Sequence, residues 1–211
     1  MGIIERKERE KEQRRNDILD AAERVFFRKG YDRATMDDVA SAAELSKGTL
    51  YLYFKSKDEL YFAISLRAHR ALRQMFEETV DPARPVIDNI LGIGKAFIRF
   101  SGEKSDYFRT LVYFEAEFDL QHVHERYEKL SQDEGDPMSF FISLLQQGID
   151  TGVIRQDIPA VQLAHILWTQ TTGVLKMAST KDFHTDLKGV SADEIIMNHF
   201  EILKNGLLNK K

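Results

Sequence analysis

The sequence predicts an all-α protein in two parts: an N-terminal three-helix module built around a helix-turn-helix, and a larger helical region behind it. Three observations carry that expectation. Between Thr35 and Leu60, three helix starts, one tight bend and one set of apolar positions agree with one another. Elsewhere apolar residues recur at spacings of three and four, and no alternating strand pattern competes. With only 4 prolines and 12 glycines against 43% apolar residues, the composition suits a helical globule better than a strand-rich or disordered chain.

The elements follow in order. Ile18, Ala22, Val25 and Phe26 share one face of a first helix expected from about residue 5 to Lys29 and closed by Gly30. Its leading stretch, Glu5 to Arg15, mixes both signs of charge as a solvated extension does, an arm touching DNA being the alternative. Thr35 with Asp38, and Ser56 with Glu59, fit the box in which a hydroxyl caps a free backbone N–H and an acid three residues on reaches back. Ser46 is the expected cap of the middle helix, whose exposed face carries Lys47, Gly48, Thr49, Tyr51 and Leu52. Ala40 is the small residue at the bend, and Val39, Ala43, Leu45, Leu50 and Tyr53 fall at inward positions.

Such a device points to DNA, because the second helix enters the major groove while hydroxyls, lysines and helix N-termini hold phosphates. Lys47 is suited to guanine acceptors, and Gly48 to close approach of the backbone. Thr49, Tyr51 and Tyr53 are suited to phosphate or base contact, with packing an equal reading for Tyr53, and Lys57 to a phosphate. Asp37 and Asp38 read as favourable charges on a helix N-terminus.

Beyond the bend, Leu60, Ile64, Ala68, Leu72 and Met75 predict a long fourth helix from Lys57 to about Thr79. Asp81-Pro82 and Arg84-Pro85 then punctuate the chain. Helices are expected over 86–101, 104–131, 138–151, 160–178 and 191–208, separated at Gly102, Gly135-Asp136-Pro137, Gly152 and Lys188-Gly189. Functionally the chain divides into residues 1–60 and 61–211, with the boundary inside the fourth helix. Leu163, Ile166, Leu167, Gln170, Val174 and Met177 form one apolar face near the C-terminus; Ile196, Phe200, Leu203 and Leu207 form another, behind a Ser191–Glu194 cap.

Net charge is −4, yet residues 1–60 hold 13 basic and 13 acidic side chains, so the excess lies outside the module. A neutral module must grip DNA through a few placed contacts, weakened by salt. Cysteine is absent, which excludes disulfides and thiolate metal sites. The start lacks the apolar run of a signal peptide and no stretch approaches about 18 apolar residues, so a cytoplasmic protein without membrane insertion is expected.

Residues 30–60, GYDRATMDDVASAAELSKGTLYLYFKSKDEL, resemble the DNA-binding signature of the tetracycline-repressor (TetR-type) family of transcriptional regulators. Gly30-Tyr31, the Thr35 cap, Val39-Ala40 and SKGTLYxYFxSKxEL from Ser46 occur in that family's order. The resemblance assigns Thr35, Lys47, Gly48, Thr49, Tyr51, Tyr53 and Lys57 to DNA binding. It also implies a homodimer through the two C-terminal helices, an operator of double-stranded DNA, and a small-molecule effector in the C-terminal region. The effector would shift the fourth helix and move paired recognition helices off the spacing of about 34–36 Å set by one DNA turn. One position departs: helix-turn-helix bends often have glycine where Glu44 stands, and a left-handed backbone costs another residue about 1 kcal/mol there.

The region after Pro85 is rich in aromatics, including Phe97, Phe100, Tyr107, Phe108, Phe114, Phe118, Phe140 and Phe141, most of them core. Tyr113, Trp168, Gln170, Thr171 and Thr172 are the candidate lining of an effector cavity, and the abundance of phenylalanine favours an apolar or amphipathic effector. No cofactor or metal is expected. His122 and His124, two apart on a helix, face nearly opposite ways, as do Glu115 and Glu117. His69, His165, His184 and His199 are isolated, and no phosphate loop, dinucleotide fingerprint or Gly-x-Ser-x-Gly occurs. An enzyme is not expected; a helical interaction protein without DNA binding is the other alternative.

Overall fold

The computed structural model describes residues 2–117, 136–178 and 191–208, with the backbone alone for Ile3, Ile4 and 113–117. The described helices are α1 (Ile3–Lys29), α2 (Met36–Ala42), α3 (Lys47–Tyr53), α4 (Lys57–Thr79), α5 (Val86–Glu103), α6 (Ser105–Glu117), α7 (Pro137–Asp150), α8 (Ala160–Ala178) and α9 (Ala192–Leu207). The chain divides into two units, Met1–Ala68 and His69–Lys211, and the division falls within α4.

In the first unit α2 packs on α1 and α3 on α2. Ile18, Ala22, Val25 and Phe26 of α1 are buried, as are Val39, Leu50, Leu60 and Ile64. Phe54, the residue that ends α3, is fully buried although the apolar pattern stopped at Tyr53, and the Arg15 guanidinium lies 4.3 Å over its ring. Ala43, Leu45 and Tyr53, expected to face inward, are only half-buried.

A guanidinium clamp joins the two long helices of this unit. Arg67 of α4 reaches Asp20 at 2.7 Å, Glu23 at 3.0 Å and the Asn16 side-chain oxygen at 3.0 Å, all on α1. Asn16, Asp20 and Glu23 are spaced four and three apart, so one face of α1 presents them together. Arg67 is largely buried, and the carboxylate hydrogen bonds raise its pKa further against the opposing pull of desolvation.

In the second unit α5 is central, packed against α6, α7, α8 and α9, while α7 also packs on α8 and α8 on α9. Ile90, Ile93, Ala96, Phe97 and Phe100 form its buried stripe. Gly102, expected to end this helix, lies inside its last turn, and the chain turns at Lys104 instead. Asn89 is buried and exchanges two hydrogen bonds with the Asp81 backbone, fixing the proline-bearing loop. Asp136 caps α7 at the Ser139 N–H, with Pro137 opening the helix, where a missing N–H costs nothing. Gly152, at φ 70°, turns the chain towards Ile154, which bridges to Leu208 at the end of α9. The expected helix over 104–131 is described as far as Glu117; its remainder, with His122, His124 and Phe118, lies outside the described residues, as does His184.

Two stability changes follow. Arg67→Ala removes the clamp and leaves Glu23 without this counter-charge, so the unfolding free energy of the full-length chain should fall by about 2 kcal/mol in denaturant titration. Glu44→Gly should raise it by about 1 kcal/mol, since Glu44 adopts φ 56°; an unchanged midpoint would show that no strain resides there.

Candidate functional site

The bend of the helix-turn-helix is built from backbone hydrogen bonds. The Leu45 N–H donates to the Ala40 carbonyl at 2.9 Å and the Glu44 N–H to the Ser41 carbonyl at 3.2 Å. This is a Schellman closure of α2, in which the residue after the cap must be left-handed. Glu44 is that residue and the only described one other than glycine with positive φ.

The starts of α2, α3 and α4 are each capped by a hydroxyl. Thr35 accepts from the Asp38 N–H at 3.1 Å, and the Asp38 carboxylate accepts from the Thr35 N–H at 3.1 Å, completing the box. Lys29 adds an ion pair at 2.6 Å; with the Thr35 contacts it holds the Asp38 carboxyl below the usual range. Ser46 accepts from the Thr49 N–H at 3.1 Å. Ser56 accepts from the Glu59 N–H, but the Glu59 carboxylate reaches past Ser56 to the Lys55 N–H at 2.7 Å.

The candidate DNA contacts surround α3. Lys47, Gly48 and Leu52 are exposed, and Thr49, Tyr51 and Tyr53 are half-buried. Among the described residues Leu52 is the most exposed large apolar side chain, at 75%. A β-carbon at Gly48 would meet nothing closer than the Ser46 hydroxyl at 3.9 Å, so Gly48 presents bare backbone to the outside. Lys47 is paired with Asp37 at 2.7 Å, and that hydrogen bond raises its pKa. Both partners are exposed, so the pair is weak and exchangeable for a phosphate or a base. Lys57 donates to the Tyr31 carbonyl at 3.0 Å and lies 4.0 Å over the Tyr31 ring. Tyr31 stacks on Phe26, meets Tyr61 edge-on and bonds Asp58 through its hydroxyl, so the glycine-aromatic pair after α1 forms a platform under Lys57.

The second unit contains a partly open cavity of about 40 Å³. Its wall joins Phe76 of α4, Ile93, Gly94 and Phe97 of α5, Phe141 of α7, Leu167, Trp168 and Thr171 of α8, and Phe200 and Leu203 of α9. Two of the candidate lining residues, Trp168 and Thr171, are in this wall. Gln170 is exposed and outside it, on the solvent-facing side of α8 next to the lining face; Thr172 is also outside, its hydroxyl buried with no hydrogen-bond partner among the described residues. The side chain of Tyr113 lies outside the described residues. His199, read from sequence as isolated, stands 3.1 Å from the Thr171 hydroxyl, and burial lowers its pKa. Phe200 and Leu203 were legible only as an apolar stripe; the signal for their second role is Gly94, which admits an aromatic ring against α5. Among the described residues no cluster of three His, Cys, Asp or Glu could hold a metal, and no helix is long and apolar enough to cross a membrane.

Residues 18–64, which span α2, α3 and the bend, match the sequence profile described as bacterial regulatory proteins, tetR family. An uncharacterized HTH-type transcriptional regulator of Bacillus subtilis, YhgD, is 32% identical over 139 residues, 65% of this chain and 70% of its own length. A fatty acid metabolism regulator protein of the same organism is 22% identical over 194 residues, covering 92% of this chain and 95% of its own. The solved structure of a bacterial regulatory protein in the tetR family from Rhodococcus superposes with a TM-score of 0.68 at 17% identity, over 94% of this chain and 98% of that one; this likeness speaks for the fold. With the capped α2–α3 bend inside the matched segment, the chain belongs to the TetR family of bacterial transcriptional regulators, and its helix-turn-helix is a DNA-binding module of that family.

Proposed function

We propose that this chain is a homodimeric repressor that leaves a palindromic operator when a small apolar or amphipathic effector binds its second unit. The observation that carries the reading is α3: a capped helix, anchored beneath by Leu50, with Lys47, Gly48, Thr49, Tyr51 and Leu52 on its accessible side. Thr49 and Tyr51 supply hydroxyls, Lys47 exchanges Asp37 for a DNA acceptor, and Lys57 turns from Tyr31 to a phosphate. Thr35 fixes the start of α2, whose N-terminus offers free N–H groups to the backbone of the duplex. Acting on DNA, the protein works in the cytoplasm, and it uses no metal or catalytic group.

A second copy supplies the second half-site contact. The C-terminal helices support this, because α8 leaves Val161, Ile166 and Met177 exposed and α9 leaves Met197 and Ile202 exposed, at 64% and 70%. Effector control runs through α4, which carries Arg67, clamped to α1, and Phe76, in the cavity wall. A coupling of roughly 1–3 kcal/mol between the two sites changes operator affinity about 5 to 150-fold. The fatty acid metabolism regulator among the relatives supports an apolar effector.

The test is binding to palindromic DNA from the protein's own promoter at several salt concentrations. Thr49→Ala and Lys57→Ala should each weaken it about tenfold with helix content unchanged, and Lys57→Ala should reduce the salt slope by about one. Equal affinity for random DNA at every salt concentration would remove the regulator reading. Ile202→Glu should raise the dimer dissociation constant at least about tenfold by sedimentation; a monomeric wild-type chain would remove the dimer.

A further inference from the structure

The cavity wall carries a more specific assignment, which rests on the effector-responsive reading. Among the described lining residues Thr171 is the one that carries a hydroxyl, and none is charged. The Thr171 hydroxyl is backed by His199, whose pKa is lowered by burial, so the pair favours neutral hydrogen bonding over a fixed positive charge. A carboxylate or phosphate drawn into this wall would shed its water and find no cation among the described lining residues. The occupant must therefore present an uncharged body to the cavity.

Size supplies the second constraint. The cavity, about 40 Å³, is small beside the roughly 150 Å³ that takes up a benzene ring. A chain seated within it requires a wall side chain to leave. Phe76, Phe97 and Phe141 are buried, and Trp168 is stacked on Phe97 with centroids 4.6 Å apart. Phe200 differs from them. It is half-buried and seated on the bare backbone of Gly94, where a β-carbon would lie 2.9 Å from its Cζ and closer still to Cε1. Only dispersion holds a phenyl ring against a glycine, and the slot it vacates is one ring thick, the width of a polymethylene chain.

We propose that the cavity binds an uncharged alkyl or acyl chain, such as a neutral ester, amide or alcohol, which takes the place of the Phe200 ring on Gly94 and makes its one polar contact with Thr171. Charged ends of such molecules stay outside the wall. Phe200 is thus the gate, and Gly94 the floor of the slot.

Trp168 is the chain's single tryptophan and stands in the wall, so its fluorescence reads the occupant directly. The full-length protein is titrated with dibromostearic acid methyl ester, whose bromines quench indole on contact, and in parallel with the free acid at mildly alkaline pH. The ester should quench saturably and bind about tenfold more tightly than the acid, and Phe200→Ala should strengthen ester binding by about tenfold. Equal or tighter binding of the acid, absence of saturable quenching, or ester affinity unchanged in Phe200→Ala overturns the proposal. If Phe200→Ala loses helix content, the ester-against-acid comparison on the wild-type chain decides alone. Operator binding is measured on the same preparations: its absence would strike at the regulator reading and leave the quenching result standing, whereas operator binding without ester preference would strike at this proposal only.

Discussion

A helix of seven residues does not hold its shape in water, because nucleation fixes several residues for few hydrogen bonds. The reading surface of this protein depends on that problem being solved for α3. Burial of Leu50 and Phe54 anchors it from below, the Ser46 hydroxyl satisfies an N-terminal N–H, and the Schellman closure at Glu44 sets its direction from α2. Each contribution is of the order of one to a few kcal/mol, and without the apolar anchor the caps would have nothing to cap. The outward residues, Lys47, Gly48, Thr49, Tyr51 and Leu52, are then left on the accessible side of α3.

Charge in the first unit is arranged in the same spirit. Residues 1–60, with equal numbers of acids and bases, have no net positive charge, and cations there are individually held: Lys29 by Asp38, Lys47 by Asp37, and Lys57 by the Tyr31 carbonyl and ring. Exposed pairs of this kind are worth little in water and exchange readily for phosphate. Arg67 is different, because it is largely buried and shared among Asp20, Glu23 and Asn16, so it fixes helix against helix.

The second unit is built around α5, whose one buried stripe faces several partners. A stripe that serves several neighbours leaves small mismatches, and the cavity beside Phe97, Trp168 and Phe200 is one of them. Its character is apolar because core-forming residues made it.

The sequence by itself determined the helices, the bend and the caps. Those signals are local: Thr35 and Asp38 are three residues apart, Ser46 and Thr49 likewise, and the stripe from Leu60 to Met75 is visible as spacing alone. It also marked Glu44 as the left-handed residue, since the bend geometry requires one and no glycine was present. Only the tertiary structure decided which apolar residue anchors α3, because Phe54 lies past the helix end, where periodicity says nothing. It alone revealed that Lys47 and Lys57 have partners within the chain, that Trp168 and Thr171 share a wall while Gln170 does not, and that Phe200 rests on Gly94. Such contacts join residues far apart in sequence, and their partners are chosen by the packing of whole helices, which the spacing within any single helix does not encode.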